Sequence, residues 1–494
     1  MKRFRIIILL FITLVASSCN EDFLDKSPYG LGTFWNTAED AELGINAAYE
    51  PLYFEESYGR GHFWLSTAGD DFIVNKNKTA VINMTSFTTN VNVAGYAKSY
   101  WSDFYKIIRR CNDVLKNVPE IEMNQQRKDR ILGEANFLLG FAYFQLIQKY
   151  GGVPFYDYEA ESNVNEPRLS LEDSYTRVEN YLKAAADLFT EWEYAGEEMG
   201  RPHKGSALGL LAKVYAFEGK WEASKTASDQ VISSQQYELL PNYQDAFSTT
   251  SENASEHLFS LRCKPVRHQG TITSIVHLPG SITNGSGWNY FAPTASLAKA
   301  FEEGDTRRKA TLVDVNGGEF KFDGATTVLS KDLVGSWGTD YICVKFAHPY
   351  QEKYVGWESG LDIPILRYSD VLLLNAEATI MLNNGGPGNR DLGVAEAAES
   401  FNKVRVRAFN GDASKAIAEP TFNDLVKERR CELAFEECRH YDLVRWGLAE
   451  EIYNAGIDDP RGPRNYKPSI HNVFPLPQGE IDNSNGVLEQ NPGY

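Results

Sequence analysis

The chain has 494 residues, a net charge of −18 and 13% aromatic side chains, with 26 Tyr, 27 Phe and 9 Trp. A surface this acidic repels nucleic acid, whose phosphates need clustered Lys and Arg, and it disfavours broad adhesion to anionic lipid. The length is ample for a large core that absorbs most of the rings and leaves a few Trp and Tyr as stacking platforms for a ligand.

Lys2, Arg3 and Arg5 form a positive start, Ile6 to Val15 an apolar run too short to span a bilayer, and Ala16, Ser17 and Ser18 a small-residue step before Cys19. This order is that of a secretory signal. The thiol directly after it resembles a bacterial lipobox, in which residues 1–18 are removed and the Cys19 sulfur carries diacylglycerol. Several acyl chains hold a protein to a membrane stably, since each buried CH₂ contributes about 0.8 kcal/mol. Residues 19–35 then form a tether. Its acidic start, Asn20-Glu21-Asp22-Phe23-Leu24-Asp25, resembles the surface-export signal of certain Gram-negative lipoproteins. The other five cysteines, Cys111, Cys263, Cys343, Cys431 and Cys438, include no CxxC, so spacing supplies neither a zinc site nor a disulfide framework. Cys111, Cys431 and Cys438 lie in helical patterns and read as small core residues.

Helical periodicity runs through the first half. It predicts helices over Ala38 to Tyr53, Tyr100 to Leu115 and Ile131 to Ile147, the last stopped by Gly151-Gly152-Val153-Pro154. Ser170, with Asp173 three residues on, starts the next like a capping box, and its stripe reaches Leu188. Ala207 to Phe217 and Trp221 to Ser233 form a hairpin joined by Glu218-Gly219-Lys220, similar to a tetratricopeptide unit but without a strict repeat. Residues 240–362 read as a loop-rich insertion with short β pieces at Thr271 to His277 and Tyr341 to Phe346. Helices return at Ser369 to Met381, Val394 to Ala408, Phe422 to Cys438 and Tyr441 to Ala449. The expected fold is mostly α: a single domain over 36–494, with a scaffold of tetratricopeptide-like helical pairs (36–239 and 363–494) that carries the insertion.

Several motifs follow one another along the chain. They are Cys19-x2-Asp22-Phe23-Leu24-Asp25, Trp101-x2-Phe104-Tyr105, and Tyr150-Gly151-Gly152-Val153-Pro154. Then come Arg367-Tyr368-Ser369-Asp370, Glu428-Arg429-Arg430-x-Glu432-Leu433-x2-Glu436-x2-Arg439-x-Tyr441-Asp442, and Gln490-Asn491-Pro492-Gly493-Tyr494. Their order resembles the SusD/RagB family of starch-binding-type outer-membrane lipoproteins. The resemblance implies a SusD-like helical fold and a cell-surface, lipid-anchored protein of the outer membrane. It further implies a lid that captures oligosaccharide and delivers it to a partner TonB-dependent transporter, a β-barrel. A peptide replaces the glycan in RagB-like branches. Where this chain has Glu437 or Cys438 the family usually has glycine.

No HExxH, GxSxG or phosphate-binding loop occurs, and the eight scattered His show no metal-ligand spacing. The chain therefore reads as a binder with no catalytic residues, cofactor or metal, and a surface hydrolase is the weaker alternative. Arg429, Glu432, Glu436, Arg439 and Asp442, three and four residues apart, read as structural ion pairs. Sugar binding needs flat rings for the C–H face of a pyranose and polar groups for its hydroxyls. Asn284 to Tyr290 offers both in an open Gly/Ser loop, with Trp288, Asn289 and Tyr290 as the ligand residues. His62-Phe63-Trp64 before Asp70-Asp71 offers a second set, with Trp64 as the ring and Asp70 and Asp71 as hydroxyl acceptors. Glycosidase chemistry at this acid pair would need carboxylates facing each other about 5 to 9.5 Å apart, which adjacent residues do not guarantee. Trp337 and, less strongly, Trp357 complete the candidates. Flat rings favour a glycan over a peptide, which asks chiefly for amide partners and charged-end recognition.

Overall fold

The computed structural model describes residues 34–494 apart from 75–77, 88–94, 158–164, 195, 252–253, 267–268, 284–286, 323, 336–338 and 349–357. The signal segment, Cys19, most of the tether, Asn284 to Ser286, Trp337 and Trp357 lie outside the described residues.

The scaffold is a row of helices, each packed on the next in sequence. Helix Ala38–Tyr49 packs on Gly95–Asn117, which packs on Gln125–Tyr150, then Leu171–Leu188, Lys204–Glu218 and Trp221–Ser233. The row continues across the insertion, because Trp221–Ser233 packs on Tyr368–Leu382 and that helix on Ala398–Ala408. Local sequence sets the ends. The Thr37 hydroxyl accepts from the Asp40 amide, and the Asp40 carboxylate accepts from the Thr37 amide, a reciprocal cap. Ser170 caps Leu171–Leu188 through the Asp173 amide, as its spacing predicts. Gly219, at φ +72°, closes Lys204–Glu218 in a left-handed turn that lets Trp221 start the returning helix. Helix Tyr368–Leu382 is buried from Tyr368 through Ile380, so it shows no exposed polar stripe, and its acids are paired: Asp370 with Lys213 and Arg429, Glu377 with Arg445.

Strands are short and antiparallel: Phe72–Val74 pairs with Phe291–Pro293, His257–Leu261 with Ile363–Arg367, Leu312–Asp314 with Tyr341–Cys343, and Glu319–Phe322 with Ala325–Val328. Two sequence expectations are corrected here. Thr271 to His277 is no strand; its β-branched run forms a buried helical turn, Thr273–His277, because tertiary packing overrides propensity. The helix expected to reach Cys438 stops at Glu432, and Phe435 (φ +64°) and Glu437 (φ +63°) turn the chain before Arg439–Arg445. Glycine would take the Glu437 conformation without steric cost. Glu437 is instead tied to the buried Lys149 ammonium at 2.8 Å.

An ion network crosses the core beneath the ribbon of His257–Leu261 and Ile363–Arg367. Arg367, fully buried, uses all five N–H groups: two on the Glu436 carboxylate (2.7 and 2.7 Å), and one each on Glu256 (2.5 Å), Glu432 (2.9 Å) and the Glu432 carbonyl (3.1 Å). Glu432 also accepts from Arg307 and Arg407. Burial raises the Glu432 carboxyl, but Arg407, Arg367 and Arg307 together hold it well below the usual carboxylate range. The predicted ion pairing of the Glu428-to-Asp442 stretch is present. Apart from Asp442 with Arg429 (3.0 Å) and Arg445 (2.8 Å), however, the partners of the singled-out residues come largely from distant segments.

Four histidines carry a pH signature. Burial drives His62, His203, His277 and His440 from 6.5 down to about 3, so each is neutral in the fold. The unfolded chain takes up protons below about pH 6.5 that the folded chain refuses until about pH 3, so acidification favours unfolding throughout that window. Carboxylates held low, such as Glu432, Glu436 and Asp442, add a further loss as the pH passes down through the ordinary carboxylate range. The calorimetric unfolding midpoint is expected to be nearly level from pH 8 to 7 and to fall from about 6.5 downward. A midpoint level down to pH 5 contradicts the neutral burial of these rings.

Candidate functional site

The segment around Trp288 is fixed by backbone hydrogen bonds. The amides of Trp288, Asn289 and Tyr290 donate to Ile275 (2.8 Å), Leu278 (3.1 Å) and Val276 (2.7 Å), and the chain then enters the strand Phe291–Pro293. Glycine at 287 is required by close approach: a Cβ there would sit 2.2 Å from the Leu278 carbonyl. Asn289 takes a positive φ of +46°, which asparagine tolerates better than most residues. The result sets the Trp288 and Tyr290 rings side by side, centroids 5.4 Å apart at 45°, both partly exposed.

Two cations belong to the same cluster. The Arg60 guanidinium lies 5.6 Å from the Trp288 centroid, 5.7 Å from Tyr290 and 5.6 Å from Trp64. Lys78 Nζ lies 4.7 Å from the Tyr290 centroid and 5.6 Å from Trp64. Arg60 is held by Glu55 at 2.7 Å and Glu56 at 3.0 Å, and burial raises the Glu56 carboxyl against the pull of Arg60. Sequence reasoning missed both cations. The spacing Glu56-x3-Arg60-x3-Trp64 carries the signal for Arg60; Lys78 has none.

The other expected ligand residues are placed differently. Trp64 is 0% exposed, packed on Tyr290 (5.4 Å) and Phe291 (4.8 Å), so it supports the platform from beneath and offers no face to a ligand. His62 and Phe63 are buried with it. Asp70 and Asp71 are also buried and do not face solvent as hydroxyl acceptors. Asp70 receives Arg439 (2.8 Å) and Arg430 (2.9 Å), and Asp71 receives Arg430 (2.7 Å). Burial raises both carboxyls; the arginines outweigh it at Asp70, which ends low, and do not at Asp71, which ends high. A proton donor beside an acceptor is a motif of acid–base catalysis. Here the void touching Asp71 is only about 10 Å³, space for one water and not for a sugar. Asn289 is likewise buried, and its amide nitrogen and oxygen both lack a hydrogen-bond partner. Among the described residues, no cluster of His, Cys, Asp and Glu could hold a metal, and no helix is long and apolar enough to cross a membrane. The five cysteines other than Cys19 are buried, and none forms a disulfide among the described residues.

The arrangement can therefore hold a flat, partly apolar ring against the exposed parts of Trp288 and Tyr290, with Arg60 lying over both rings and Lys78 over Tyr290. Comparison with known proteins adds the following. The sequence model of the SusD family matches residues 247–494, and one described as "Starch-binding associating with outer membrane" matches residues 22–216. SusD-like protein P2 of Formosa agariphila is 26% identical over 536 residues, covering 100% of both chains. A SusD-like protein of Bacteroides ovatus is 24% identical over 496 residues, covering 93% of this chain and 86% of the other. Among solved structures, a laminarin-binding SusD-like protein superposes with a TM-score of 0.77 at 25% identity, covering 93% of this chain and 100% of that one. Surface glycan-binding protein A from Bacteroides thetaiotaomicron, in complex with laminarihexaose, superposes with a TM-score of 0.77 at 23% identity, covering 92% and 100%.

Proposed function

The chain belongs to the SusD family, and from that premise we propose that it is a glycan-binding lipoprotein of the outer membrane that captures oligosaccharide on the Trp288–Tyr290 platform. The observation that carries this reading is the pair of partly exposed rings, backed by buried Trp64, with the Arg60 and Lys78 cations packed over them. Such a surface meets the C–H face of a pyranose, and the cations donate to its hydroxyls. The named ligands of the superposed proteins, laminarin and laminarihexaose, are glycans and support the same class here.

The wording of the family model supports a place at the outer membrane. The anchor would be Cys19, directly behind the small residues 16–18 that follow the apolar run of residues 6–15. Tethered outside the cell, the protein would hand its oligosaccharide to a TonB-dependent barrel, and its own part is binding rather than bond cleavage.

Trp288→Ala is expected to weaken the best ligand from a glycan array about tenfold or more, a loss of about 1.4 kcal/mol, with the unfolding midpoint nearly unchanged. Titration calorimetry of wild type and variant decides it; equal affinities remove Trp288 from the site.

A further inference from the structure

A second cavity, of about 840 Å³, opens on the helical scaffold between the end of helix Trp221–Ser233, the segment 235–241 and helix Ala398–Ala408. It shares no residue with the aromatic platform, and its size falls in the range of small-molecule sites. One part of its wall is apolar: Ile232, Leu239, Val406 and the rims of Tyr237 and Tyr368, whose rings stand 6.1 Å apart. Another part is neutral and polar, supplied by Ser233, Gln235 and Asn410.

The charges of the wall cancel. It holds two acids, Glu238 and Glu399, and two bases, Lys403 and Arg407. Lys403 pairs with Glu399 at 3.1 Å, and Arg407 with Glu256 at 3.1 Å and Glu432 at 2.5 Å. An anion entering here meets an arginine already claimed by two carboxylates, with two more acids in the wall. A cation meets Lys403 and Arg407. The side-chain amides of Gln235 and Asn410 each offer both donors and an acceptor, so they bond to a ligand without asking it for a charge.

We propose that this cavity is a second binding site, for a neutral saccharide unit. The C–H face lies on Ile232, Val406 and the tyrosine rims, and the ring hydroxyls bond to Ser233, Gln235 and Asn410. The site stands independently of the platform at Trp288. Two sugar sites on one chain would hold a long glycan by two points and slow its escape more than either alone.

Saturation-transfer-difference NMR on the full chain tests this with glucose, galactose, mannose and xylose, and with glucuronate and glucosamine as charged counterparts. At least one neutral sugar is expected to give a signal that survives Trp288→Ala, falls about fivefold or more in Ile232→Trp, where the indole fills the cavity, and exceeds that of the charged sugars. Leu239→Trp fills the same space from the loop and is expected to act alike should Ile232→Trp fail to fold, circular dichroism reporting the fold of each. The proposal is overturned if no neutral-sugar signal remains in Trp288→Ala, if a folded cavity-filling variant leaves that signal unchanged, or if glucuronate or glucosamine binds as well. Failure of the platform reading looks different: Trp288→Ala then leaves every signal at its wild-type level.

Discussion

Replacing Arg367 by methionine is expected to cost the fold about 3–5 kcal/mol, a large part of the roughly 5–15 kcal/mol that holds a domain together. Methionine matches the aliphatic stem, so the loss is electrical. Glu256, Glu432 and Glu436 each lose a hydrogen-bonded cation while remaining inside the core. Arg407, Arg307 and Lys345 still neutralise part of that charge, which places the expected loss in this range rather than above it. Arg367→Lys keeps the charge but has three donors where five are used, and is expected to fall between wild type and Arg367→Met. Lys403→Ala removes an exposed partner of Glu399 and is expected to change stability by less than about 1 kcal/mol. Urea unfolding of the three variants ranks them. If Arg367→Met shifts the midpoint no more than Lys403→Ala, the network does not hold the strand Ile363–Arg367 to the helix Phe422–Glu432.

Caps and stripes made the helical scaffold legible in the sequence, because Thr37, Ser170 and Gly219 act within a few residues of themselves. The partners of the charged motif were not legible. Arg430 and Arg439 reach Asp71 and Asp70 from about 360 residues away, and no local spacing encodes such a pairing. The same contact misdirected the reading of the acid pair: two adjacent aspartates resemble an exposed polar loop until the arginines that bury them are known. Trp64 illustrates a related limit. Gly61–Ser66 is buried on every side, so periodicity has no exposed face to reveal, and an indole beside acids reads equally as platform or as core. Trp288 was recognisable because Gly285 and Gly287 precede it in the sequence and read as a loop, whereas the packing of Lys78 over Tyr290 followed from tertiary structure alone.

Trp64 and Trp288 therefore should separate stability from binding. Trp64→Ala empties a fully buried site and is expected to destabilise the chain by about 3–5 kcal/mol. It also removes the ring on which Tyr290 rests. Trp64→Phe restores much of the packing, so it should recover part of the stability. Trp288→Ala has the opposite profile, with a small change in unfolding free energy and a large one in glycan affinity. Denaturation and calorimetry on all three variants give a two-way comparison. A Trp288→Ala loss of stability as large as that of Trp64→Ala makes Trp288 a core residue and removes the platform. A Trp64→Ala loss under about 1 kcal/mol means that the wall beneath it collapses freely, and that Tyr290 is held by its backbone hydrogen bond to Val276 rather than by the indole.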